Sequence, residues 1–180
     1  MCYSPRVSFG TWGFGILASI YLFSQGKPFL FPLVVSQMQL VEGLRWLNII
    51  DERILAVAGK LALYAQPVAA FYEANRREFI LPYVLIQTLT ELLFGSRDLR
   101  FVVAGDGHFA WKWSFDPISM EAIPYWIGLL TGASFILTHG FGTLMLGLFA
   151  YFYINHARYG TSGSLWCVWV NLLWVFYIFR

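Results

Sequence analysis

Charged side chains are scarce in this 180-residue chain, where Lys, Arg, Asp and Glu together make up 12% of the positions. Soluble domains carry roughly 25%, so the polar surface that keeps a chain in water is missing. Cysteine is nearly absent as well. Cys2 and Cys167 are the only two, which excludes a disulfide framework. The formal net charge is only +2 with no basic run, which argues against nucleic acid as a partner. Gly-rich phosphate loops, HExxH, CxxC and GxSxG motifs are all missing, as are internal repeats and low-complexity segments. No two histidines have the spacing of metal ligands on a helix, and the last apolar segment has no lysine for a Schiff base.

What remains is apolar. Hydrophobic residues make up 58% of the chain and the mean hydropathy is +0.61. The apolar stretches recur along the whole length, and roughly 20 such residues suffice for a helix to cross a hydrocarbon core of about 30 Å. Eight Trp and ten Tyr suit the headgroup boundary, where amphipathic rings collect. The expected fold is all-α, a single polytopic transmembrane helix bundle over residues 1–180 with about seven spans. They fall near residues 8–25, 28–48, 54–73, 79–95, 123–138, 141–155 and 164–179. The first segment is preceded only by Arg6 and has no small-residue cleavage site, so it reads as a retained span, not a signal peptide.

Between the fourth and fifth spans the apolar pattern breaks. Ser96 to Glu121 is the one substantial extramembrane loop. Phe101-Val102-Val103 and Phe109 to Trp113, separated by Gly105-Asp106-Gly107, suit a short hairpin. Seven spans put the two ends on opposite sides. Arg6, Arg45, Arg53, Arg97, Arg100, Lys112 and Arg158 fall on the N-terminal side, against Lys27, Arg76, Arg77 and Arg180 on the other. This modest excess expects a cytoplasmic N-terminus. Gly128 and Gly132 in the fifth span, and Ala58, Ala62, Ala65 and Ala69 in the third, are the small residues that let helices approach closely in lipid.

Polar groups inside the spans point to a site. An ionisable side chain at mid-bilayer costs at least ~2.5 kcal/mol on insertion scales, so it needs a partner or a task. At helical spacing Gln39, Glu42, Gly43 and Trp46 share a face of the second span, with Ser36 at its edge and Arg45 close enough to pair with Glu42. Gly59, Gln66 and Glu73 share a face of the third. Pro67 there frees the carbonyl of Leu63, and Lys60 either snorkels outward or meets a carboxylate; Lys60 with Glu91, like Arg45 with Glu42, would then be an ion pair that fixes helix register. Gln87 and Glu91 lie one turn apart in the fourth span, beside Thr88. Seven-span topology puts Glu42, Arg45, Lys60, Glu91, Cys2, His108 and Cys167 in one half of the bilayer. His139 falls at the far end of the fifth span, and His156 at the end of the sixth.

These residues resemble an uncharacterised family of small seven-span membrane proteins with an N-terminal Met-Cys-(aromatic)-Ser signature. The matching motifs are Met1-Cys2-Tyr3-Ser4, Val41-Glu42-Gly43-Leu44, Gln66-Pro67, His108-Phe109-Ala110-Trp111, His139 and Trp166-Cys167. The resemblance runs in order along nearly the whole chain. Tyr3 stands where many members have Trp, and Arg45 where Gln is common. It implies a seven-span architecture and the same polar groups, and no reaction.

Three functional expectations follow. In the first, Gln39, Glu42, Arg45, Lys60, Gln66, Glu91 and His108 form a buried polar pocket that binds or conducts a proton, a cation or a small amphiphilic ligand. In the second, the chain is a membrane-embedded enzyme acting on a lipid-like substrate, with Cys2, His108 and Cys167, joined by Glu42, as a zinc or iron site or an acid–base set, since thiolate, imidazole and carboxylate suit such metals. In the third, it is a non-catalytic subunit of an oligomer or larger membrane complex, and its polar groups serve assembly.

Overall fold

The computed structural model describes residues 4–95, 101–103, 109–111, 120, 122–136, 174, 177 and 178. Within them the protein is all-α. Five helices follow one another, α1 (Pro5–Ser24), α2 (Leu30–Leu47), α3 (Glu52–Glu73), α4 (Ile80–Phe94) and α5 (Ala122–Ile136), with a 3₁₀ turn, Arg77–Phe79, leading into α4. The expected hairpin is present: β1 (Phe101–Val103) pairs antiparallel with β2 (Phe109–Trp111), Val102 opposite Ala110. The sixth expected span and most of the seventh lie outside the described residues, although Trp174, Tyr177 and Ile178 are helical.

Local chemistry sets the helix ends. Ser4 caps α1 by accepting from the Val7 N–H at 3.3 Å, and Pro5 occupies the first turn, where a missing N–H costs nothing. Asp51 caps α3 through the Arg53 N–H at 2.9 Å. α2 ends at Asn48, which takes the left-handed conformation (φ 53°) that Asn tolerates better than most residues. Short turns make α1, α2, α3 and α4 alternate in direction.

α2 packs between α1 and α3, and α3 in turn packs against α5. Small residues make the closest approaches. A Cβ at Gly132 would lie 2.7 Å from the Ala70 Cβ, one at Gly128 would lie 2.8 Å from the Tyr83 ring, and one at Gly15 would lie 2.8 Å from the Ser36 Cβ. These contacts, with Tyr125 against Gln66, set α5 parallel to α3. Its first turn stands level with the middle of α3, so the N-terminal part of α3 extends past it.

α1 and α3 are long and apolar enough to cross a membrane. α5 is a shorter apolar helix. α2 carries Gln37, Gln39, Glu42 and Arg45, and α4 has 15 residues, about 22 Å of helix. Polarity is distributed unusually between inside and outside. Ser8, Ser19, Ser36, Gln39, Glu42, Lys60, Gln66 and Gln87 are buried, while Leu17, Ile20, Leu61, Leu81, Leu85, Leu92 and Ile127 are exposed.

Candidate functional site

Lys60 and Glu91 meet between α3 and α4. Lys60 Nζ donates to Glu91 Oε1 at 2.5 Å, and the Tyr64 hydroxyl donates to Glu91 Oε2 at 2.7 Å. Lys60 and Tyr64 are one turn apart on α3, so they reach a single carboxylate from one helix face. The Tyr83 hydroxyl donates to the Tyr64 carbonyl at 3.1 Å, holding that turn of α3. This contact falls one residue past the Leu63 carbonyl that Pro67 was expected to free. Tyr83, Gln87 and Glu91 recur every four residues, and the first two are the only buried residues of α4. The face directed at α3 is therefore almost entirely polar or aromatic.

These groups form part of the wall of a cavity of about 750 Å³ between α3 and α4. Among the described residues, Val57, Leu61, Val84 and Leu92 supply its apolar wall, and Lys60, Tyr64, Tyr83, Gln87, Thr88 and Glu91 its polar groups. The cavity opens at the outer surface, where Leu61 is 64% and Leu92 79% exposed. It lies toward the end of the bundle that α5 does not reach. Gly95 closes it. A Cβ there would lie 2.5 Å from Glu91 Oε1, so a side chain at this position would press on the carboxylate that Lys60 and Tyr64 hold.

The other expected site residues divide among separate places. Glu42 and Gln39 are fully buried on α2, beside Gly43, where an added Cβ would lie 3.1 Å from the Phe9 ring. Arg45 does not take Glu42 as its ion-pair partner, as its spacing suggested. It pairs with Glu52 at 3.7 Å across the α2–α3 turn and donates to Asn48 Oδ1 at 3.1 Å. Gln66 is fully buried and turned to α5, where the Tyr125 hydroxyl donates to its Oε1 at 2.8 Å. Neither Glu42, Gln39 nor Gln66 is among the described residues lining the α3–α4 cavity. Cys2, His108, His139, His156 and Cys167 lie outside the described residues. Among the described residues, no three His, Cys, Asp or Glu side chains gather as metal ligands would.

Tyr64, Tyr83 and Tyr125 were not singled out from the sequence. The signal for the first two was present: Tyr64 follows Lys60 by four residues and Tyr83 precedes Gln87 by four. Glu73 also has a definite place. Its carboxylate accepts from the Leu30 N–H at the start of α2 and from the Tyr177 hydroxyl at 3.4 Å, tying the start of α2 and Tyr177 to the end of α3. No protein-family model, curated protein or solved structure matches the chain.

Proposed function

We propose that this chain is an integral membrane protein of seven spans that binds a small single-chain amphiphile in the cavity between α3 and α4. Two features support the membrane reading. α1 and α3 have the length and apolarity of spans, and the bundle buries Gln39, Glu42, Lys60 and Gln66 while exposing rows of Leu and Ile. Water penalises that distribution, and hydrocarbon tolerates it. A reporter fused at each loop would test the seven spans, and loss of the chain from carbonate-washed membranes would refute the membrane assignment.

The observation that carries the ligand reading is the Lys60–Glu91–Tyr64 network in the wall of a cavity that Val57, Leu61, Val84 and Leu92 also face. Small-molecule sites are mostly apolar clefts of roughly 300–1,000 Å³ with a few placed polar groups. This cavity has that size and that composition. Its mouth between Leu61 and Leu92 admits a ligand sideways from the lipid phase, with an acyl or alkyl chain against the leucines and a head group beside Glu91. Conduction of a proton or cation is less well supported, since Glu42, Gln66 and Glu91 lie on different helices against different neighbours.

Diazirine-bearing dodecyl amphiphiles with uncharged, cationic and anionic heads, added to the protein in phosphatidylcholine nanodiscs, test the reading. At least one is expected to label α3 and α4 around the cavity, and Val84→Trp, which fills it, to abolish that labelling. Equal labelling of wild type and Val84→Trp would overturn the proposal.

A further inference from the structure

Resting on the membrane reading but not on the α3–α4 ligand, we infer a second lipid site in the groove between α4 and α5. It takes one acyl chain of an anionic phospholipid and holds the phosphate at Arg76. The groove has a volume of about 400 Å³. Ile86 of α4 and Ile123, Ile127 and Thr131 of α5 are among its described walls, with Phe71 and Phe79 toward the 3₁₀ turn. Ile86 is 55% and Ile127 62% exposed, so the groove lies open to the surroundings. From Ile123 to Phe135 α5 rises about 18 Å at 1.5 Å per residue, close to the depth of one leaflet in a hydrocarbon core of about 30 Å.

An arginine stands where the groove meets the turn. The Phe79 and Phe135 rings stack with centroids 6.0 Å apart, and the Arg76 guanidinium lies 5.0 Å from the Phe135 centroid. Phe135 is one turn beyond Thr131 on α5. The aromatic contact holds the guanidinium against apolar surface, and its planar fork suits the oxygens of a phosphate. Arg76 also pairs with Glu78 at 3.7 Å, but these side chains are 51% and 57% exposed, and a pair that exposed is weak enough to exchange. Arg76, Arg77 and Glu78 leave the turn with one positive charge in excess. Glu73, the other carboxylate at this end among the described residues, is turned to the start of α2. Residues 137–180 contain no Asp or Glu, and the four acidic residues between Gly95 and Ala122 belong to the segment joining the opposite ends of α4 and α5. Positive charge beside an apolar groove favours an anionic head over a zwitterionic one.

The test uses diazirine-acyl phosphatidylglycerol and phosphatidylcholine of equal chain length, each at trace level in phosphatidylcholine nanodiscs holding the full chain. In wild type, phosphatidylglycerol is expected to label α4 and α5 at the groove about fivefold more efficiently, the preference that one basic residue near a membrane surface confers. Arg76→Gln is expected to bring the two lipids to equal labelling, and Glu78→Gln to widen the gap. Arg77→Gln is expected to keep most of it, because the Arg77 guanidinium lies 4.5 Å from the centroid of the Tyr72 ring, and Tyr72 is not among the described residues of the groove. Ile127→Trp obstructs the groove and is expected to lower labelling there by both lipids. Equal labelling in wild type overturns the inference, and that comparison needs no variant. An equal fall in Arg76→Gln and Arg77→Gln also overturns it, as does a narrowed gap in Glu78→Gln or undiminished labelling in Ile127→Trp. Failure of the chain to enter nanodiscs, with stability in water free of lipid and detergent, would instead overturn the membrane reading.

Discussion

The Lys60–Glu91 pair allows a decisive energetic test. Removing one partner of a buried ion pair costs about 3–5 kcal/mol, whereas replacing both charges by neutral groups is often neutral. Glu91 is partly exposed at 31% of its side-chain surface, and Tyr64 retains a hold on it in Lys60→Met. The expected cost is therefore at the low end, about 2–3 kcal/mol for Lys60→Met and for Glu91→Gln separately. The double variant should lose no more than either single one, which makes the coupling energy at least about 2 kcal/mol. An exposed pair would give about 0.2–1 kcal/mol, so the two cases are separable. Reversible unfolding in mixed micelles, across wild type, both single variants and the double variant, measures the coupling. A coupling below about 0.5 kcal/mol would show that the pair is solvated as an exposed one is, and the recessed site would fall with it.

Other substitutions probe the packing that positions the site. Gly132→Ala puts a methyl group 2.7 Å from the Ala70 Cβ, and backbone cannot move aside cheaply, so it should cost about 1–3 kcal/mol in the same unfolding assay. Gly13→Ala, where an added Cβ meets nothing within 4 Å, should instead be neutral or stabilise by up to about 1 kcal/mol through helix propensity. Tyr125→Phe leaves the buried Gln66 Oε1 without its donor and should cost about 1–3 kcal/mol, while adding Gln66→Met should recover most of the loss, because removing both partners spares an orphaned group. Glu73→Ala removes the acceptor at the start of α2 and should cost about 1 kcal/mol, with faster amide exchange at Leu30 as its local signature.

Much of the architecture was legible along the chain because it depends on local quantities. The helix ends follow from Ser4, Asp51 and Asn48 and from the breaks at Gly26 and Asn75, so the expected and observed boundaries of α1 to α5 agree within three residues at every described end. The hairpin was legible because a Gly-Asp-Gly turn lies between two short apolar runs. Periodicity also located Gln39, Glu42 and Gln66 on inward faces, and all three are buried.

Which inward faces meet was a different question. Glu42 and Arg45 have the spacing of a pair, yet Arg45 turns to Glu52, because the α2–α3 turn brings a second carboxylate within 3.7 Å. Lys60 with Glu91 was the other expected ion pair, since the expected topology puts both in one half of the bilayer, and the two do meet at 2.5 Å. Their contact depends on how α4 is rotated and how far it stands from α3, and Tyr83 helps to set that by spanning from Gly128 to the Tyr64 carbonyl.

Over the described residues the sequence by itself determined the five helices, where they stop and several of the side chains that avoid the outside, since propensity, capping and the apolar period act over a few residues. Only the tertiary structure decided that Lys60, Tyr64 and Glu91 share a cavity while Glu42 and Gln66 do not line it. Helix pairing and rotation arise from contacts such as Gly132 on Ala70, between residues far apart in the chain, and local spacing holds no record of them.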